Sequence, residues 1–290
     1  MPTATHLEPL TLHGVDHTAR PTWKLQDTVR FYRDVLGLPL IHTISARGWG
    51  PHTHPDFLHF FFDSGQGSTI AFFYYLGTQA PPEMAGRELR KPWPEDFVSD
   101  ATHTAWLVET ESELQQWQQR LQAQGVEVSV QTRHEVIESI YFRDPNGYFL
   151  EISRKLRPLQ KADHSDAALT LQAAMQLERE RSGGVADIAH IDEVWQRKAQ
   201  MLLGEASPGV LRLPVLKVPE FAPLVQAARA LAQCEVTALD DDYWLVQAHA
   251  PITFERRALG VKPAVWYGLF TGGVCGRITV FDRERVRIEP

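Results

Sequence analysis

Gly14-Val15-Asp16-His17-Thr18-Ala19 and Asp100-Ala101-Thr102-His103-Thr104-Ala105 share the triplet His-Thr-Ala, and each opens a segment of the same plan. After the first, Val29, Phe31, Tyr32, Val35 and Leu36 lead to Gly37; after the second, Leu114, Trp117 and Leu121 lead to Gly125. Apolar residues three and four apart form one helical face, and a glycine just past the last turn stops a helix. Short apolar runs follow each helix. Leu38–Ile44, Leu58–Phe62 and Thr69–Leu76 read as strands in the first copy, and Val126–Val130, Val136–Phe142 and Tyr148–Ser153 in the second. Asp63-Ser64-Gly65-Gln66-Gly67 and Asp144-Pro145-Asn146-Gly147 supply the matching turn before each last strand. The repeat therefore predicts two βαβββ modules, about residues 12–77 and 100–156. One such sheet with one helix buries a single face, so the two modules are expected to pair.

The rest of the chain sets the outer limits. Its 290 residues exceed one modal domain, so two domains are expected. We place the boundary near residue 158, leaving 159–290 as a smaller C-terminal α+β domain. Hydrophobic residues at 43% and charged residues at 22% are an ordinary globular balance. With 29 Lys+Arg against 36 Asp+Glu and no basic run, a nucleic-acid partner is not expected. No basic-then-apolar leader is read at the N-terminus, and no apolar run approaches the ~20 residues of a membrane span. A cytoplasmic protein is the expectation. Two cysteines, Cys234 and Cys275, cannot build a thiolate cage or a disulfide framework.

Thr78–Asp100, with Pro81, Pro82, Pro92, Trp93 and Pro94, suits a connector or a lid. Beyond Leu159, Ala167–Arg181, Ile191–Leu203 and Phe221–Gln233 predict helices, with Pro208–Pro219 as a proline-punctuated linker. Strands are expected at Glu235–Leu239, Tyr243–His249, Val265–Phe270 and Arg277–Phe281, with a short last one at Arg285–Ile288. No recognisable chemistry lies in this half.

Chemistry concentrates at His17, His103 and Glu151. The histidines head equivalent strands of the repeat, and Glu151 lies on the last strand of the second module. If the modules pair about a pseudo-twofold, the three converge. Two imidazoles and a carboxylate on one flank of an ion are the donor set of non-haem Fe(II) oxygenases. A strand histidine taken singly also serves as hydrogen-bonded core.

Residues 12–156 resemble the vicinal oxygen chelate (glyoxalase/bleomycin resistance/extradiol dioxygenase) superfamily. Within them, Thr132-Arg133-His134, Ile140-Tyr141, Asp144-Pro145-Asn146-Gly147 and Glu151 are similar to the signature of type I extradiol ring-cleavage dioxygenases. The resemblance covers half of the chain. It implies an α+β fold of paired βαβββ modules, metal held by His17, His103 and Glu151, and catalysis with Fe(II), or alternatively Mn(II). It implies a small aromatic substrate and O₂ as partners, with a homo-oligomer expected. Tyr141 would hydrogen-bond a substrate oxygen and His134 would line the same pocket; Tyr141 also has the form of a cross-strand packing aromatic.

Two departures refine this. Ile70, Ala71 and Phe72 stand where isomerases and lyases of the superfamily often carry a fourth ligand, which favours a three-donor site over a glyoxalase-type one. The acid–base histidine that extradiol enzymes place near that strand is missing, and His59, on the preceding strand, is the nearest substitute. His52-Thr53-His54 reads as loop. Phe60, Phe62, Phe72, Tyr74, Tyr141 and Phe149 are candidate walls, of which alternation turns only some inward. The expected function is an Fe(II)-dependent extradiol-type dioxygenase on a catechol- or hydroquinone-like ring. The alternatives are a metal-dependent isomerase or lyase, and a non-catalytic binder of an aromatic ligand.

Overall fold

The computed structural model describes residues 14–48, 54–88, 97–181, 188–204 and 208–290. In the first module, β1 (His17–Thr22) is followed by α1 (Leu25–Val29), whose last turns widen into a π-helical stretch at Arg30–Val35. The Leu36 N–H reaches back five residues to the Phe31 carbonyl. This looser turn lets Phe31, Tyr32, Val35 and Leu36 all enter the core. Then come β2 (Leu40–Ala46), β3 (Phe57–Gly65) and β4 (Ser68–Tyr75), in the sheet order β1-β4-β3-β2.

A short helix α2 (Phe97–Asp100) precedes the second module: β5 (Thr104–Val108), α3 (Glu111–Ala123), β6 (Thr132–Arg133), β7 (Ile137–Arg143) and β8 (Phe149–Lys155). Its order, β5-β8-β7-β6, repeats that of the first. A capping box starts α3: Thr110 Oγ1 accepts the Glu113 N–H, and the Glu113 carboxylate accepts the Thr110 N–H. The Val126–Val130 strand expected from sequence is reduced to one bridge, Val128 to Phe142, and ladder pairing moves on to Thr132–Arg133.

The chain divides into two units by contact, residues 1–130 with 140–154 and residues 131–139 with 155–290. The N-terminal unit has one core fed by both modules: Phe31, Tyr32, Phe62 and Phe72 from the first cluster with Leu114, Ile140, Phe142 and Ile152 from the second. Asp144 and Asn146 of the Asp-Pro-Asn-Gly turn are buried at the junction. Tyr32 OH donates to Asp144 Oδ2 at 3.1 Å, and Thr22 Oγ1 donates to Asn146 Oδ1 at 2.8 Å. Asn146 Nδ2 donates to Thr28 Oγ1 at 3.0 Å, and Tyr148 OH donates to the Pro21 carbonyl at 2.7 Å. Gly147 adopts a φ of 87°, and a Cβ there would lie 2.3 Å from Arg87 Cβ, so this turn position requires glycine.

The C-terminal unit contains α4 (Lys161–Arg181), α5 (Ile191–Leu203), β9 (Leu211–Leu216), α6 (Ala222–Ala230), β10 (Cys234–Ala238), β11 (Tyr243–Ala248), β12 (Ile252–Glu255), α7 (Arg256–Leu259), α8 (Pro263–Tyr267), β13 (Arg277–Phe281) and β14 (Arg285–Glu289). Two antiparallel sheets, β10-β11-β9 and β12-β14-β13, share a core around Trp266, Phe221, Tyr243 and Phe270. Two sequence expectations are corrected here. Leu211–Leu216 is a buried strand rather than linker: Pro214 is accommodated because β9 is the last strand of its sheet, and an edge strand can lack one ladder N–H. Residues 265–270 start in α8 and turn rather than in a strand, because Pro263 opens a helical turn that buries Val265 and Trp266 together.

Buried polar groups bind this unit together. The Lys198 ammonium, fully buried, is ion-paired with Asp166 and donates to Thr170 Oγ1 at 2.7 Å and the Thr271 carbonyl at 2.6 Å. Tyr243 OH donates to the same Asp166 carboxylate at 2.9 Å. Among the described residues, no helix is long and apolar enough to cross a membrane.

Candidate metal centre

Strand alternation decides what each sheet offers on the face opposite the core. In β7 and β8, Ile140, Phe142, Leu150 and Ile152 enter the core, so Tyr141, Phe149 and Glu151 point the other way. His103, just before β5, joins them. Its Nε2 stands 3.1 Å from Glu151 Oε2, and its ring meets Phe149 edge-on at 5.8 Å. The Tyr141 ring stacks on Phe149 at 5.3 Å with an interplanar angle of 7°.

The hydrogen bonds around His103 assign its protons. Nδ1 lies 2.8 Å from the Asp100 carbonyl, which can only accept, so Nδ1 carries the N–H. A neutral ring then turns the Nε2 lone pair toward a carboxylate oxygen that is itself electron-rich. Two hydrogen-bond acceptors face each other, and a shared cation or an imidazolium proton is what such an arrangement accommodates. Glu151 is only 4% exposed, which raises the cost of leaving its charge uncompensated. A buried neighbour supports the ring: Arg143 pairs with the Asp100 carboxylate at 2.8 Å and donates to the Gly147 carbonyl at 3.0 Å. The run Arg143, Asp100, His103, Glu151 is a carbonyl–histidine support of the kind that orients metal ligands. Sequence reading missed Arg143 and Asp100; the shared parity of Tyr141 and Arg143 on β7 was the available signal.

His17 heads β1, where it pairs in register with Thr69. Its Nδ1 is 2.7 Å from Asp16 Oδ1, an acceptor, so its Nε2 is likewise left as the lone-pair nitrogen. Half of the chemistry is thus repeated in the first module. Among the described residues, no three His, Cys, Asp or Glu side chains form a group placed to hold a metal ion; His103 and Glu151 are brought together, and His17 is not gathered with them. The donor chemistry of the pair suits a divalent cation.

Register also explains what the first module lacks. Ala105 pairs with Glu151 and, in the repeat, Ala19 pairs with Ala71. Ala71 is therefore the counterpart of Glu151, a position without a donor atom.

Around His17 the first sheet carries further imidazoles and rings. Phe61 has ring contacts with His17 at 5.9 Å, His42 at 5.6 Å and His59 at 4.2 Å. His59 is buried on β3, stacked on Phe73 at 3.7 Å, with Nδ1 3.1 Å from the Phe72 carbonyl. Burial holds its pKa below the usual imidazole value, against the Phe72 carbonyl hydrogen bond, which raises it. It is a neutral ring with Nε2 as the accepting nitrogen. His42 was not singled out in the sequence, because nothing in its spacing distinguishes it.

The expected aromatic wall is corrected in part. Phe60, Phe62 and Phe72 belong to the core and Tyr74 packs against it, whereas Phe57, Phe61, Phe73 and Tyr75 share the face of His59. Tyr141 and Phe149 stay on the site face. His134 falls in the segment 131–139, which groups with the C-terminal unit; its backbone N–H donates to the Ile137 carbonyl at 2.9 Å. His54 touches Phe57 and Tyr75, while His52 and Thr53 lie outside the described residues, as does part of the Thr78–Asp100 connector.

Residues 14–152 match the family model of the Glyoxalase/Bleomycin resistance protein/Dioxygenase superfamily. Among solved structures, a glyoxylase/bleomycin resistance protein/dioxygenase domain from Frankia sp. EAN1pec is 20% identical, covering 50% of this chain and 99% of its own, with a TM-score of 0.36. Lactoylglutathione lyase from Agrobacterium tumefaciens is 19% identical over 50% of this chain and 95% of its own, at 0.34. A genomically encoded fosfomycin resistance protein from Listeria monocytogenes is 19% identical over 50% and 94%, at 0.33. No curated protein matches the chain.

Proposed function

We propose that this chain, which belongs through residues 14–152 to the Glyoxalase/Bleomycin resistance protein/Dioxygenase superfamily, is a non-haem Fe(II)-dependent dioxygenase that opens a catechol- or hydroquinone-like ring with O₂. The observation that carries this reading is the register equivalence of Ala71 and Glu151, which limits the repeat to three candidate donors, His17, His103 and Glu151. A two-histidine, one-carboxylate set is the donor chemistry of oxygen-activating iron sites. A glyoxalase-type centre would call for a further carboxylate, and the first module has alanine at that place.

His103 and Glu151, which lie together, would hold the ion, Fe(II) or Mn(II), and the reading requires His17, which stands apart from them in this structure, to complete the set. A bound iron would supply the one-electron chemistry that lets O₂ react with a closed-shell ring. The protein's own groups handle orientation and protons. Phe149, stacked with Tyr141, offers a flat surface beside the His103–Glu151 pair, suited to a planar ring. The Tyr141 hydroxyl is the donor for a substrate oxygen. His59, neutral because it is buried, has an accepting Nε2 that can take the proton a diol must lose.

Oxygen uptake with catechol by iron-loaded protein tests this reading. Uptake that requires both iron and the diol, and that disappears in His103→Ala, is expected. Protein that binds iron yet consumes no oxygen with any catechol or hydroquinone would refute it.

A further inference from the structure

The C-terminal unit contains a cavity of about 380 Å³ that the superfamily match does not reach. Its wall is mostly apolar: Leu216 at the end of β9, Val218 and Pro219 after it, and Ala222 and Val225 from the first turns of α6. Trp244 of β11 closes one side, and Gln160 and Lys217 are the polar members. Volume and lining are those of an open, mainly apolar groove with few polar groups, large enough for a small ligand.

Charge gives the pocket a preference. Lys217 Nζ lies 4.7 Å from the Trp244 ring centroid and the Arg229 guanidinium 4.9 Å from it. Arg229 follows Ala222 and Val225 on the same face of α6, seven and four residues on. Neither cation has a carboxylate partner among the described residues; Lys217 donates to a neutral acceptor, the Asp240 carbonyl. In the acidic turn beside it, Asp240 turns Oδ1 to the N–H groups of Asp242 and Tyr243, each at 2.8 Å, rather than to Lys217. An anion at the pocket mouth would meet Lys217, which has no direct carboxylate partner among the described residues, with Arg229 on the Trp244 ring, and its apolar body would fill the wall.

We infer that the C-terminal unit carries a second small-molecule site, the Trp244–Lys217 cavity, which takes a small aromatic carboxylate. The carboxylate sits at Lys217 and the ring lies among Val218, Val225 and the edge of Trp244. This site is independent of the metal centre and of the reaction proposed there.

Calorimetric titration of the full chain with benzoate, and with neutral benzamide for comparison, tests it. The His103→Ala background excludes benzoate binding to a metal. Saturable benzoate binding is expected there, weakened at least tenfold by Lys217→Met while benzamide changes less than twofold. Val225→Trp, which fills the cavity, is expected to abolish both, with thermal melting as the check on folding. No saturable benzoate binding in the His103→Ala protein, or binding that Lys217→Met leaves unchanged, would overturn the proposal.

Discussion

Ala71 occupies in β4 the register position that Glu151 occupies in β8, each paired with the alanine of a His-Thr-Ala triplet. One repeat position thus carries a carboxylate in one module and a methyl group in the other. Restoring the symmetry is the direct test of why that matters. Ala71→Glu is expected to keep bound metal but to lower oxygen uptake with catechol at least tenfold, since a fourth protein donor takes a place that reactants need. Metal analysis alongside oxygen-electrode rates reads this, and an undiminished rate would separate Ala71 from the centre.

Tyr141 lies flat on Phe149, so removing its hydroxyl leaves the ring stack in place. Tyr141→Phe is expected to lower kcat roughly a hundredfold, the low end of the range for one proton-handling group, while metal content and melting temperature stay as in the parent. Wild-type turnover on the best catechol would take the residue out of the mechanism.

Asp144 shows that the family turn is also structural. Its carboxylate is buried and accepts from Tyr32 OH, from the Asn146 side chain and from the N–H groups of Asn146 and Tyr148. Burial pushes its pKa up, and those hydrogen bonds oppose the shift. Asp144→Ala would strand several buried donors. A loss of about 3 kcal/mol or more is expected in urea unfolding of the N-terminal unit, at roughly 1–3 kcal/mol per unsatisfied group. A loss below about 1 kcal/mol would mean the turn does not join the modules.

Lys198 is the ionic centre of the C-terminal unit. Lys198→Met keeps the volume but leaves the Asp166 carboxylate with only neutral partners, Tyr243 and Thr271. Breaking one side of a buried pair costs about 3–5 kcal/mol, and a drop of that size in chemical unfolding is expected. The double variant Lys198→Met with Asp166→Leu should recover part of it.

Asp163 predicts an acid limit. Arg157, which also donates to Glu220 at 2.8 Å, donates to it at 2.6 Å, and that hydrogen bond, helped by the Gln160 N–H, holds the Asp163 pKa below its ordinary 3.8 against the effect of burial. A carboxylate whose folded pKa is depressed contributes stability that is full above the unfolded value. That contribution is lost as pH falls below about 4. Thermal melts between pH 3 and 6 should show Asp163→Asn with a shallower acid decline than the parent; parallel curves would contradict the assignment.

The paired modules were legible from the chain because the repeat marks itself locally. His-Thr-Ala heads, glycine stops after Leu36 and Gln124, and a turn before each last strand are all encoded within a few residues. The helix expected at Ile191–Leu203 has those bounds, and the one expected at Ala167–Arg181 starts six residues earlier, at Lys161. Donor types could be read too, because a histidine at a strand head and a glutamate on a partner strand are identities, independent of packing. What tertiary structure alone decided is which groups meet. Pro214 sits in a strand because that strand is at an edge, and Phe60 and Phe61 part company because adjacent residues in β3 face opposite sides. His103 turns Nε2 to Glu151 because the Asp100 carbonyl occupies Nδ1, with Asp100 held by an arginine 43 residues away. Local propensity acts over a turn of chain, whereas burial, strand parity and proton placement follow from neighbours that only folding brings within reach.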